Sequence, residues 1–167
     1  MLGLGVTKGS LAGSDVTQPP QKIVVYQSDF TEDVDGWTEP LGMGDTVSAP
    51  ESSTGGLTDA VKWTAGISFT GAREIHLDLS SFNIPADQTD YSVGFTFEGD
   101  RQTKVQAILG SSYGTEPTDF TAADTSETQS DTITATNPGT FKLSFSDTNG
   151  DFNGTIFFKS IELYYYS

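Results

Sequence analysis

The sequence predicts an all-β sandwich, on three observations. Short runs in which apolar and polar residues alternate recur along the chain, the period that puts successive side chains on opposite faces of a strand. Turns rich in Gly, Asn and Asp separate these runs at regular spacing. No stretch sustains a helical apolar period with a cap. At 167 residues the chain is one domain of ordinary size, able to bury about 70% of its unfolded surface without staples.

Residues 1–22 read as an arm ahead of a sandwich at 23–167. The arm holds Gly3, Gly5, Gly9 and Gly13 and has no amphipathic period, so by itself it lacks the means to order. Leu2, Leu4, Val6 and Leu11 alternate in part, as an added strand would. The arm is therefore expected to anchor on a neighbouring subunit, with packing back on its own domain as the alternative. Pro19-Pro20 is a stiff, extended spacer at the boundary.

The opening strand starts at Ile23-Val24-Val25-Tyr26, rich in β-branched and aromatic residues. Asp33-Val34-Asp35-Gly36 is an acidic turn that leads Trp37 back to the core. Thr46–Ala49 is a short strand, followed by a polar loop at 50–56. In Ala60–Ala65, Val61 and Trp63 share one face. In Arg73–Leu79, Ile75, Leu77 and Leu79 point inward and Glu74, His76 and Asp78 outward. Tyr91–Glu98 turns Tyr91, Val93, Phe95 and Phe97 to one side, and Thr103–Leu109 does the same with Val105, Ala107 and Leu109. Residues 111–130 are a long polar stretch with a short strand expected near Phe120. Thr132–Ala135 is brief, Thr140–Phe145 alternates, and Thr155–Tyr166 is the longest strand.

Composition removes several function classes. Eight basic and 23 acidic residues give a net charge of −15. No basic face can be assembled to displace counterions from nucleic acid, and an anionic membrane would repel this surface. No apolar run approaches the ~20 residues that span a bilayer, so membrane insertion is not expected. Solubility is the plain reading of the charge; calcium binding or docking to a basic partner are the sharper ones. The absence of cysteine excludes disulfides and Cys-ligated metals. The start at Met1 has no basic residue before its short, Gly-broken apolar part and does not read as a secretory signal.

Candidate chemistry is sparse. Asp147-Thr148-Asn149-Gly150-Asp151 begins like a calcium loop, but Phe152 and Phe158 stand where such a loop needs Gly and Glu. It reads as a hairpin turn on its Asn-Gly. His76 is the one histidine, which argues against zinc and most nucleophile–histidine pairs. No carboxylate pair stands out for glycoside hydrolysis. No catalytic residue, metal or cofactor is expected. Sugar binding would use a flat aromatic and nearby polar groups. Tyr113, in a Ser-Ser-Tyr-Gly loop, is the best exposed platform. Trp63 is a second candidate, although alternation favours a core position for it. Tyr164, Tyr165 and Tyr166 alternate faces, so at least one is exposed or meets a partner; Tyr165 completes the candidate set.

Phe30-Thr31-Glu32-Asp33-Val34-Asp35-Gly36-Trp37 resembles the opening of carbohydrate-binding modules of the family 4/9 type, within the galactose-binding-like jelly rolls. Ser53-Thr54-Gly55-Gly56 with Ala60-Val61-Lys62-Trp63 resembles that family's Ser-Gly loop and next strand. Glu74–Ser80, Tyr91–Phe95 and Ile156–Tyr164 resemble its middle, following and closing strands. The resemblance covers residues 23–166 and implies a jelly-roll β-sandwich of two antiparallel sheets with no catalysis of its own. Many members hold calcium between a Glu after the first Phe and an Asp-Asp pair in the closing strand. Here those positions are Thr31, Lys159 and Ser160, so the resemblance implies that this calcium site is lost. Lys159 is expected to place its ammonium near Asp29 or Glu32, or else to point to solvent.

Two functions from different classes follow. In the first, the chain is a structural subunit of an oligomeric assembly, anchored by its arm and able to touch cell-surface glycans. Tailed-phage virion proteins resemble this plan, a Gly-rich start followed by a carbohydrate-module-like sandwich, and a virion decoration, fibre or tail accessory protein is the expectation. In the second, it is an extracellular glycan-binding module of a secreted carbohydrate-active system.

Overall fold

The structure, a computed structural model, describes residues 18–28, 30–40, 42 and 44–167. The arm residues Leu2, Leu4, Val6 and Leu11, and Asp29, lie outside them. The strands are β1 (Lys22–Gln27), β2 (Trp37–Thr38), β3 (Thr46–Glu51), β4 (Ala60–Thr64), β5 (Arg73–Asp78), β6 (Asp90–Gly99), β7 (Thr103–Leu109), β8 (Ser112–Tyr113), β9 (Glu127–Thr134), β10 (Thr140–Asp147) and β11 (Thr155–Tyr166). No helix occurs among the described residues.

The strands form two sheets, antiparallel throughout, packed as a sandwich. The six-stranded sheet runs β3-β4-β11-β6-β9. β11 is long enough to pair with β4 along its first half and β1 along its second. The five-stranded sheet runs β2-β5-β10-β7-β8. Alternation fills the space between them: Trp63, Phe95 and Phe158 from one sheet meet Trp37, Phe141 and Phe145 from the other, all buried. Ring centroids of Trp63 and Phe145 are 4.9 Å apart at 72°, the edge-to-face arrangement aromatic quadrupoles favour.

The acidic turn does return Trp37 to this core. Asp35 and Gly36 both have positive φ (49° and 81°), and Trp37 N–H donates to Val34 O at 2.9 Å. Asp-Gly suits such a turn because both central residues must tolerate the left-handed region. The Trp37 indole N–H then donates to Tyr26 Oη at 2.8 Å, satisfying a polar atom deep in the interior.

Three expectations are corrected, and a fourth is met in one of its alternatives. The Asp147–Asp151 segment turns the chain, with Gly150 N–H donating to Asp147 O at 3.0 Å, but it is no hairpin: β10 and β11 belong to different sheets, so the segment is an inter-sheet corner. The strand expected near Phe120 is a single bridge, Thr103 to Thr121. The brief strand at Thr132 begins earlier, at Glu127. Lys159 Nζ donates to Thr58 Oγ1 at the surface, at 3.4 Å, as its solvent-facing alternative has it, and forms no ion pair with Glu32; Asp29 lies outside the described residues.

A bulge governs β11. Its register against β6 shifts between Lys159 and Glu162, and Ser160 takes a positive φ of 54°. One extra residue reverses which side chains face the core. Ile156 and Phe158 point inward before the bulge, and Ile161, Leu163 and Tyr165 after it.

Candidate functional site

The outer face of the five-stranded sheet is built from the residues that alternate with its core positions. Cross-strand register sets them in rows. Thr38 pairs with His76, His76 with Lys142, Lys142 with Ile108, and Ile108 with Tyr113. One row therefore crosses all five strands. A parallel row holds Glu74, Ser144 and Gln106, and a third pairs Ser146 with Lys104. Directly opposed residues lie about 4.5–5.5 Å apart at Cβ, so the rows make a ribbed surface, polar except at the buried Ile108, ending at one exposed ring. Tyr113 is 68% exposed.

The charges on this face hold one another. Glu74 Oε2 lies 2.6 Å from His76 Nε2 and 3.6 Å from Lys142 Nζ. Lys104 is ion-paired with Glu116. Gln106 Nε2 donates to Gly114 O at 2.9 Å, which pins the chain just after Tyr113. At the margin, Asp78 accepts from Ser80 N–H at 2.8 Å; that backbone hydrogen bond holds its carboxyl below the usual value. A cavity of about 90 Å³ between Lys104, Gln106, Glu116, Pro117 and Ser144 is far below the ~300 Å³ at which small-molecule pockets begin. A ligand of any size would lie along this face rather than enter it.

Of the three residues expected to meet a glycan, only Tyr113 is on this surface. Trp63 is 0% exposed, enclosed by Phe145 and Phe152. Tyr165 is 8% exposed and stacks edge-on against Tyr91 in the core. Both are withdrawn as contact residues: Trp63 because alternation puts it inward with Val61, Tyr165 because the Ser160 bulge does. The face also gathers Gln106, Lys142 and Ser144, which sequence reasoning did not single out. Their signal was present, since each alternates with a core residue of β7 or β10.

No protein-family model and no curated protein matches the chain. Solved structures do. The CBM22-1 xylan-binding domain of Paenibacillus barcinonensis Xyn10C superposes with a TM-score of 0.55 at 13% identity, over 87% of this chain and 96% of that one. The CBM1 module of BiXyn10A, in its apo form, gives 0.56 at 15% identity, over 85% and 98%. A point mutant of CBM29-2, a family 29 carbohydrate-binding module, gives 0.52 at 16%, over 87% and 93%. The chain has the fold of carbohydrate-binding modules. At these identities the likeness speaks for the fold alone.

Proposed function

We propose that this chain is a non-catalytic, extracellular glycan-binding module that lays an extended, neutral oligosaccharide across the outer face of its five-stranded sheet. The observation that carries the reading is the row Thr38, His76, Lys142, Ile108 and Tyr113. It offers three polar side chains, then the buried Ile108, and ends on an exposed ring, a combination of polar partners and a flat face that sugars recognise. The small cavity favours a chain over a compact molecule. Contact of Glu74 with His76 and its ion pair with Lys142, together with that of Glu116 with Lys104, fits carboxylates that hold a surface in shape. The fold supports the same class, and one neighbour is by name a xylan-binding domain. β-1,4-linked xylan and glucan chains are the substrate class proposed. Membership of the family 4/9 type in particular rests on the sequence motifs quoted above. The virion reading rests on an arm outside the described residues, and no observation favours it.

The test is calorimetric titration with xylohexaose and cellohexaose. Wild type binds at least one, and Tyr113→Ala weakens that binding roughly 2- to 12-fold, the equivalent of about 0.5–1.5 kcal/mol for an aromatic stack. Tyr113 is exposed, so its loss leaves the fold intact. Absence of binding to either hexaose, or unchanged affinity in Tyr113→Ala, overturns the proposal.

A further inference from the structure

The opposite side of the sandwich carries a larger depression. On the six-stranded sheet, register aligns Val24, Tyr164, Ser92 and Thr132 across β1, β11, β6 and β9. Two adjoining cavities of about 520 and 480 Å³ open over this row and share Ser92 and Thr132 as their floor. Both are shallow and open to solvent, a shelf for an extended chain and not an enclosed pocket. Asp90 and Tyr166 line one end, and Asp131 and Tyr164 the other. The next row contains Glu162, Gly94 and Ser130. A side chain at Gly94 would meet nothing within 4 Å, so the glycine leaves bare backbone beside the groove.

The aromatic wall is held in place. Lys22 Nζ lies 4.0 Å from the centre of the Tyr164 ring and 2.7 Å from Glu162 Oε2. The Tyr164 and Tyr166 rings meet edge-on at 5.7 Å and 86°, and Tyr166 remains 53% exposed. One acceptor is oriented too. Asp90 Oδ1 accepts from Thr134 Oγ1 at 2.8 Å, whereas the Asp131 carboxylate, at a core-side position of the edge strand β9, is taken up by Thr115. A fixed carboxylate beside hydroxyl side chains suits a ligand rich in O–H donors. It repels phosphate, sulfate and uronate. An exposed tyrosine edge suits the apolar face of a sugar ring.

We propose that this groove is a second glycan site, for a neutral oligosaccharide, independent of the first. The inference rests on the glycan-binding reading above and extends it. With sites on opposite faces, one module cannot lay both on the same stretch of chain; it would bridge two polysaccharide chains. Linkage of this kind joins strands without any new protein–protein contact.

The experiment is an NMR titration of the full chain with xylohexaose, repeated with cellohexaose and mannohexaose, following backbone amides. Two groups of shifts are expected to saturate separately, one around Gln106 and Ser144 and one around Ser92 and Thr132. Tyr166→Ala weakens the second by roughly 2- to 12-fold and leaves the first unchanged, and Tyr113→Ala does the converse. Shifts confined to the first group overturn the second site and spare the proposed function. Shifts confined to the second overturn the face assignment of the proposed function and spare this site. No shifts with any of the three hexaoses overturn both.

Discussion

Replacing Asp45 by Ala tests how the loop after β4 is fastened to the sandwich. Asp45 Oδ2 lies 3.3 Å from Arg73 Nη1, with side-chain exposures of 1% and 0%. Asp45 Oδ1 also accepts from Gly66 N–H at 2.8 Å. The Arg73 guanidinium donates to Ile67 O at 2.8 Å and Phe152 O at 3.3 Å, and lies 4.8 Å from the Phe69 ring and 5.7 Å from that of Trp63. Both side chains are buried, so deleting Asp45 takes a counter-ion from a guanidinium that is itself out of contact with water. Breaking a buried pair in this way costs about 3–5 kcal/mol. For a chain of this size each kcal/mol lowers Tm by roughly 2–4 °C, so Asp45→Ala is expected to melt about 6–20 °C lower. Equilibrium urea unfolding, followed by tryptophan fluorescence with Trp63 beside the guanidinium, reads the loss as a lower midpoint at unchanged slope. The double variant Asp45→Leu with Arg73→Met removes both charges and is expected to lose less than Asp45→Ala, because no lone buried charge remains. A loss below about 1 kcal/mol in Asp45→Ala would place the pair with solvent-exposed ones and refute the reasoning.

Two further outcomes follow from single residues. Burial pushes the Tyr26 phenol up to about 12, against about 10 in an unfolded chain. The unfolded state therefore loses its proton first: the contribution of Tyr26 is complete below about pH 10 and is lost as pH rises through about 12. Urea midpoints measured from about pH 9 to 12 are expected to fall less steeply in Tyr26→Phe than in wild type, and parallel curves refute the assignment. At Ser160, with φ of 54°, a β-branched side chain is badly placed and glycine is not. Ser160→Val is expected to be less stable than Ser160→Gly by roughly 1–3 kcal/mol, and equal urea midpoints would count against the bulge.

What the sequence conveys about this fold is period, and it conveys it where both faces of a strand have clear characters. β5 alternates throughout, and β6, β7 and β10 alternate until their last two residues, so most of their core residues and of the polar row opposite were legible. β2 and β8 have two residues each, too few to show a period. β9 is an edge strand whose core-side positions include Gln129 and Asp131, opposite Phe95 and Val93. Polar residues at those positions erase alternation, so the strand reads as loop until Ile133. Asn149-Gly150 announces a turn but not its destination, because a hairpin and an inter-sheet corner reverse the chain with the same local chemistry.

The closing strand shows why the residues proposed to face a sugar were harder to read than the core. Counting by twos from Ile156 and Phe158 puts Tyr165 outside and Tyr164 and Tyr166 inside. The extra residue at Ser160 inverts that count, burying Tyr165 against Tyr91 and turning Tyr164 and Tyr166 to the outer face. Nothing in Phe158-Lys159-Ser160-Ile161 marks the insertion, since serine carries no preference for positive φ comparable to that of glycine. The inversion is nevertheless consistent with the core: Ile161 and Leu163 supply apolar side chains at the inward positions, while an uninverted strand would bury Glu162. Burying an unpaired carboxylate costs far more than a bulge, so the position of Glu162 selects the register. The same charge then reaches Lys22 on the outer face and fixes the ammonium over Tyr164. One acidic residue thus both forces the bulge and orders the ring that the second groove presents.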